Sequence, residues 1–173
     1  MRVIAITAAA LLAITVIAAA GSYLYTVLAK PGIETAITID APPEAVWATL
    51  TDFEAYEQWN PFITSAEGTA TTGTRLHNTL ENKGSTMTFE PRITAAEPAR
   101  ELRWIGRFVA PGIVDGEHYF LLEELPGERT RFVQGENFRG ALVPLAGGSL
   151  DVRDSFDAMN RALKERVEQQ AAR

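Results

Sequence analysis

The stretch from Ser149 to Gln170 constrains the fold more than any other part of the chain. Its apolar residues recur at steps of three and four, which places them in one narrow stripe along a helix. They are Val152, Phe156, Met159, Leu163 and Val167. Ser149 or Asp151 is suited to cap the start of this helix, which would be roughly 33 Å long. A helix of that length with one apolar stripe needs an equally long apolar partner, and the preceding sequence predicts a sheet.

The N-terminal segment is the one anomaly in an otherwise ordinary globular composition. No charged residue occurs from Val3 to Ala29, and this length suffices to cross the roughly 30 Å core of a bilayer. Residues 1–30 are therefore predicted to form a transmembrane anchor; the alternative is a signal peptide cleaved near Ala18-Ala19-Ala20. Arg2 and the α-amino group favour a cytoplasmic N-terminus. The predicted location is the cell membrane, by a single N-terminal pass with the domain extracytoplasmic, or the periplasm or exterior after cleavage.

Residues 31–173 are predicted to form one domain, because this length supports a substantial core. Its formal charge is −8, since the full chain carries −6 and the domain lacks Arg2 and Lys30. An acidic domain without a basic cluster argues against nucleic acid as a partner. The sequence contains no cysteine and no phosphate-binding loop or metal-binding motif. We therefore expect neither a metal nor a cofactor.

The region between the anchor and the C-terminal helix is predicted to consist mostly of strands. A first strand over Ile33–Ile39 precedes two short helices, and Asn60-Pro61 ends the second. Six short runs separated by turn signals follow, which is typical of an antiparallel meander. They are Phe62–Glu67, Gly73–Leu80, Met87–Ala96, Glu101–Arg107, Gly116–Leu125 and Arg129–Phe138. The expected sheet therefore has seven strands.

The last two of these runs allow a prediction of register. With a three-residue loop over 126–128, and with both aromatic sets facing the core, Phe120 lies opposite Gln134 and His118 lies opposite Glu136. A histidine and a carboxylate are then neighbours on an otherwise apolar inner surface. Such a pair can act as acid and base, because a carboxylate orients and charges an imidazole. The alternative is a pair that only satisfies two polar side chains in a pocket wall.

The predicted order of elements is that of the helix-grip fold, and several motifs resemble the START/Bet v 1-like (SRPBCC) superfamily. Within it, the chain is most similar to the bacterial branch described as polyketide cyclase/dehydrase or lipid-transport-like. The motifs are Ala41–Trp47, Leu50–Phe53, Trp59–Phe62, Gly116–His118, Phe132–Phe138 and Phe156–Asn160. The resemblance covers residues 33 to 170. It implies an α+β fold, with a curved antiparallel seven-stranded sheet around the long C-terminal helix and a cavity between them, preceded here by the N-terminal apolar helix.

An apolar cavity with a few polar groups is the usual form of a small-molecule site. The residues predicted to bind the ligand are Trp104, His118, Phe120, Phe132, Gln134, Glu136, Phe156, Met159 and Leu163. His118 and Glu136 are also the candidate catalytic pair. The predicted function is membrane-tethered binding or transport of a hydrophobic small molecule, lipid- or isoprenoid-like, by a binding protein rather than a catalyst. The alternatives are a cyclase/dehydratase acting on a polyketide-like substrate and a protein-interaction module with a filled pocket.

Two predicted loops, 108–115 and 139–148, are unusually apolar, although loops normally lie on the surface and are polar. Successive turns of a meander alternate between the two ends of a sheet, so both loops should share one end with the turn near Asn82. Their apolar residues either pack on each other as a closed lid or contact the bilayer that the anchor brings within reach. The acidic net charge of the domain counts against the bilayer, because anionic lipids repel it.

Overall fold

The computed structural model describes residues 2–82 and 84–172. A long helix stands at each end of the chain, and eight strands lie between them. The helices are α1 (Arg2–Ala29), α2 (Pro43–Thr51), α3 (Tyr56–Trp59), α4 (Val143–Ala146) and α5 (Arg153–Ala171). The strands are β1 (Gly32–Ile39), β2 (Ile63–Glu67), β3 (His77–Asn82), β4 (Ser85–Phe89), β5 (Arg92–Glu97), β6 (Glu101–Phe108), β7 (Val114–Leu125) and β8 (Arg129–Arg139).

The strands form two antiparallel sheets, so the expected single seven-stranded sheet is corrected. One sheet has the order β1-β8-β7-β6-β5 and the other the order β2-β3-β4. The predicted strand Met87–Ala96 is divided into β4 and β5, because Pro91 lies between them and has no amide hydrogen for a strand ladder. The Leu76 amide donates a hydrogen bond to the Pro91 carbonyl (3.0 Å). The backbones of Arg75 and Arg92 form an isolated antiparallel β-bridge. These contacts join the two sheets into one curved wall.

The C-terminal helix lies where its apolar stripe predicts. Phe156, Met159, Leu163 and Val167 are all buried against the inner side of the wall. The helix begins at Arg153 rather than at Ser149, because residues 147–150 form a 3₁₀ turn. Polar contacts with β1 hold it in place: Asn160 Nδ2 donates to Thr35 Oγ1 (2.7 Å) and Lys164 Nζ donates to the Thr38 carbonyl (2.8 Å). The predicted α+β helix-grip architecture, with a sheet curved around a long helix, is confirmed.

The predicted register of the last hairpin is also confirmed. Leu125 pairs with Arg129 across a three-residue turn, and His118 pairs with Glu136. Gly127 in that turn has φ of +82°, a conformation that glycine adopts at low cost. Directly opposed residues of an antiparallel pair lie on the same face. Both side chains therefore lie on the inner face of the sheet.

Helix α1 extends away from the sheet over most of its length. Its side chains from Ile6 to Ile17 are exposed, whereas Thr26 near its end is buried against the loops that precede β7 and follow β8. The chain leaves α1 at Lys30 and enters β1 at Gly32. The contacts between α1 and the rest of the fold are thus at its C-terminal end.

Candidate functional site

A cavity of about 550 Å³ lies between the curved wall and the segment that leads into α5. This volume is within the range of small-molecule sites. Strands from both sheets contribute to its lining, together with Val152 at the start of α5. Its apolar lining includes Phe62, Leu80, Met87, Trp104 and Phe138. Such a surface favours a hydrophobic guest, because burying apolar area releases it from water.

Two paired glycines create part of this space. Gly106 on β6 lies opposite Gly116 on β7, next to the pair Trp104 and His118 on the same face. Neither glycine places a side chain on the inner surface, so the wall is thin at this point. A Cβ at Gly116 would overlap the Glu136 carboxylate, whereas a Cβ at Gly106 would meet its nearest atom at an ordinary 3.9 Å. Gly116 therefore accommodates the Glu136 side chain, and Gly106 leaves the space open.

His118 is held in the cavity wall by contacts around its whole ring. Its Nδ1 lies 3.7 Å from Glu136 Oε2, and its Nε2 lies 3.1 Å from Gln134 Nε2. The ring stacks on Trp104 at a centroid distance of 5.0 Å. With the Gln134 amide in this orientation its N–H donates to Nε2, whereas the 3.7 Å between Nδ1 and the carboxylate is longer than a hydrogen bond.

The two members of this pair differ in what they present to a ligand. Both nitrogens of His118 face protein groups, and the side chain is 6% exposed. The Glu136 side chain is 20% exposed and lines the cavity. Both residues line the cavity, and the carboxylate is the more exposed member of the pair.

A polar residue that the sequence analysis did not select also lies in the cavity wall. Asn78 on β3 is 2% exposed, and its Oδ1 is buried with no hydrogen-bond partner. A buried acceptor without a partner is costly. The signal was available in the sequence, because Asn78 stands between Leu76 and Leu80 at steps of two on an apolar face. Among the described residues, no group of three or more histidines and carboxylates is placed to hold a metal.

The nine residues predicted to bind the ligand divide into two sets. Trp104, His118 and Glu136 line the cavity. The other six lie in the solid core next to it and do not line it, which corrects the expectation that α5 supplies a cavity wall; they are Phe120, Phe132, Gln134, Phe156, Met159 and Leu163. The reason is steric, because α5 packs directly against the inner face of the sheet at these positions. The ring centroids of Phe156 and His118, for example, are 4.9 Å apart. Ligand contact by any of the nine stays a prediction.

The cavity mouth is formed by the loops that the meander places at one end. Asn82, Phe108, Leu142 and Leu145 all line the cavity, so the prediction that these three loops share an end is confirmed. Leu145 is 81% exposed, and Phe108 and Leu142 are also exposed. The two loops are joined to each other, since the Ala141 and Leu142 amides donate to the Gly112 and Ile113 carbonyls (2.9 and 3.0 Å). The exposed Phe108, Leu142 and Leu145 side chains form an apolar rim on them.

Comparison with known proteins places the chain in a family. The family described as polyketide cyclase / dehydrase and lipid transport matches residues 30–170, and the chain belongs to it. This match includes the whole fold from β1 to α5, and it leaves α1 outside. No curated protein matches the sequence.

Solved structures of the START/Bet v 1 superfamily share the fold. The Zhui aromatase/cyclase from Streptomyces sp. R1128 is 20% identical, with a TM-score of 0.67 over 82% of this chain and 95% of its own. A START superfamily protein from Mycobacterium smegmatis is 20% identical, with a TM-score of 0.62 over 80% of this chain and 98% of its own. Ara h 8.0201 is also 20% identical, with a TM-score of 0.61 and the same coverage. At this identity the likeness establishes the fold alone.

Proposed function

We propose that this protein is a membrane-tethered binding protein for a hydrophobic small molecule, lipid- or isoprenoid-like. The observation that carries the proposal is the cavity of about 550 Å³, which is lined mainly by apolar side chains and opens at the end of the fold that α1 joins. The family description, with its reference to lipid transport, supports the same class of ligand.

The tether is supported by the character of α1. The described residues include one helix long and apolar enough to cross a membrane, Ile6–Ala29. Its apolar side chains are exposed on all sides, and a helix of this kind is stabilised by lipid rather than by water. A cleavable signal sequence has the same features. Intact-mass measurement of the protein from the membrane fraction distinguishes them, because a retained anchor preserves residues 1–30.

The chemistry of the cavity also constrains the ligand. Glu136 presents its carboxylate in a mainly apolar lining, which also includes Asn78, Ser85 and Arg107. A matching ligand has an apolar body and a hydrogen-bond donor, such as a hydroxyl group, since a buried acceptor gains most from a donor.

A cyclase/dehydratase is the competing candidate, and the His118–Glu136 pair is the observation in its favour. The carboxylate would remove a proton from a bound polyketide-like substrate, with the imidazole as its orienting partner. The engagement of both imidazole nitrogens by protein groups favours binding over proton transfer through His118. Turnover of a bound ligand that is lost in Glu136→Gln, while the ligand still binds, would establish the enzyme. The third alternative, a protein-interaction module, depends on a filled pocket, whereas this cavity is open.

The binding proposal is tested by filling the cavity. The full chain is extracted from membranes in mild detergent and analysed by native mass spectrometry for a co-purifying lipid. Gly106→Leu adds a large side chain at a position whose backbone tolerates a Cβ, so we expect the lipid adduct to disappear. Gly106→Ala is the matched control and should retain it. Adducts of equal abundance in Gly106→Leu and the parent would contradict the proposal.

A further inference from the structure

The end of α1 and the two apolar loops form one continuous surface at the cavity mouth. We call the side chains of Phe108, Val109, Leu142 and Leu145 the rim; all four are exposed. The loops that carry the rim also carry the residues that α1 contacts. The rim and the anchor are therefore fixed relative to each other.

Specific polar contacts make this connection. Ser22 Oγ donates a hydrogen bond to the Ala141 carbonyl at 2.6 Å, and the Gly140 amide donates to Thr26 Oγ1 at 3.0 Å. Thr26 is 1% exposed. A Cβ at Gly112 in the other loop would meet the Tyr23 ring at 3.6 Å. One face of the last two turns of α1 is thus built to fit both loops, since buried hydroxyl groups of this kind are satisfied by partners of defined geometry.

The position of these contacts along α1 indicates where the rim lies relative to a bilayer. About 20 helical residues cross the roughly 30 Å hydrocarbon core, so a span that begins at Ile6 leaves the core near Tyr25. Ser22, Tyr23 and Thr26 then stand at the exit level, where tyrosine is enriched. The loops that contact them are held at the same level.

The charge near the rim suits this position, although the domain as a whole is acidic. Arg107 and Arg139 stand at the base of the loops 108–115 and 139–148, whose one acidic residue, Asp115, is buried and lies 3.9 Å from Arg107. Lys30 follows directly at the end of α1, and all three cations are exposed. Basic residues close to an anionic leaflet are attracted to it. Apart from the buried Asp115, the acidic side chains that account for the net charge therefore lie outside the two loops.

The tip of the first loop is held in a strained conformation. Val109 has φ of +68°, and the Ala110 amide donates to the Phe108 carbonyl across it (2.9 Å). This is a γ-turn with a positive central φ, which is rare and unfavourable, above all for a β-branched residue. It leaves the Val109 side chain 82% exposed. Strain of this kind at an exposed apolar tip is typical of functional loops.

We propose that the rim inserts into the bilayer interface, so that the cavity opens into lipid and the ligand enters from the leaflet. This inference rests on the tether of the proposed function and adds a lipid surface as the partner of the rim. Ser22 and Thr26 are the positioning residues, because their hydrogen bonds fix the loops against the anchor.

Labelling of the full chain tests the insertion directly, since the natural sequence has no cysteine. Leu145→Cys is coupled to a polarity-sensitive fluorophore and the protein is reconstituted in phosphatidylcholine vesicles that contain acyl-chain-brominated lipid. Gln169→Cys, an exposed position near the C-terminal end of α5, is the control. We expect a blue shift and strong bromine quenching at Leu145 and neither at Gln169. Equal, water-like emission at both positions would overturn the proposal. So would a blue shift at Leu145 without quenching, because a protein partner would then cover the rim.

The connection to α1 is tested in the same vesicles with Ser22→Ala combined with Thr26→Val. We expect bromine quenching at Leu145 to fall. Thr15→Val is the matched control and should leave the quenching unchanged. Among the contacts described, Thr15 makes a hydrogen bond only within α1, to the Leu11 carbonyl. Quenching that is unaffected by the double variant would refute the positioning role. The lipid adduct in detergent should persist in the double variant, which separates failure of this inference from failure of the binding proposal.

Discussion

The inner surface of one curved wall has a solid end and an open end, and the two differ in what fills equivalent positions. At the solid end Phe120 and Phe132 stack at 5.7 Å, and both are fully buried. At the open end the corresponding inner positions of β6 and β7 are Gly106 and Gly116. The strand geometry is the same in both, so the cavity results from missing side chains and not from a different fold. Stability and binding are therefore expected to depend on different residues of the same strands.

The largest effect should follow from truncation at the solid end. Phe132→Ala removes a fully buried ring and should lower the free energy of unfolding by about 3–5 kcal/mol. Phe138→Ala is the matched change on the same strand. It removes a ring that lines the cavity, so the decrease in the free energy of unfolding should be smaller. Chemical denaturation of the full chain in detergent, followed by tryptophan fluorescence, measures both. Equal losses would remove the distinction between the two ends.

Two buried asparagines should respond in opposite directions. Asn60 Oδ1 accepts hydrogen bonds from the Phe62 and Ile63 amides at 3.0 and 2.9 Å, so Asn60→Leu should lower the free energy of unfolding by about 1–3 kcal/mol. Asn78 Oδ1 has no partner, so Asn78→Leu should raise that free energy by about 1 kcal/mol in the ligand-free protein. The same denaturation experiment compares them. A loss of stability in Asn78→Leu would show that the unpaired Asn78 oxygen does not lower the stability of the open end.

The His118–Glu136 contact should give a smaller, pairwise effect. His118→Ala and Glu136→Gln should be non-additive in the free energy of unfolding by about 0.5 kcal/mol or more, because the two groups touch. Glu136→Gln combined with Glu123→Gln is the control, since Glu123 pairs with Arg131 and the combined effect should be additive. A coupling energy of zero for the first pair would mean that the imidazole does not orient the carboxylate.

The smallest effect lies on the outer face of the same strands. Burial, followed by the hydrogen bond to Glu34 at 2.7 Å, raises the pKa of Tyr119 to about 12. The folded-state pKa of Tyr119 is above the unfolded value of about 10. The protonated phenol therefore contributes to the free energy of unfolding fully below pH 10, and this contribution is lost as the pH rises to 12. Glu34→Gln should lower the pKa of Tyr119, as measured by phenolate absorbance against Tyr119→Phe. Ligand binding should not change; a change would link the outer face to the cavity.

Much of the fold could be predicted from local rules. The apolar stripe of α5 follows from helical periodicity, and the opposition of His118 and Glu136 follows from alternation and a three-residue turn. The division of the run Met87–Ala96 could also have been predicted, because a proline within a strand interrupts its ladder. The candidate site was harder to predict. Alternation in the strands and helical periodicity in α5 assigned nine residues to the inner side, yet only Trp104, His118 and Glu136 of these line the cavity.

By itself, the sequence determined which face of each element is apolar, which strands are neighbours, and which loops share an end, because these depend on periodicity and on the length of turns. The tertiary structure decided the depth at which each inner residue lies. Periodicity assigns a side chain to a face, but only the approach of α5 decides whether that face meets another side chain or an empty space. The tertiary structure also places Thr26 in contact with Gly140, although these residues are 114 positions apart in the chain. No local pattern predicts such a contact, because it depends on the packing of a helix against two loops that the sheet has first placed together.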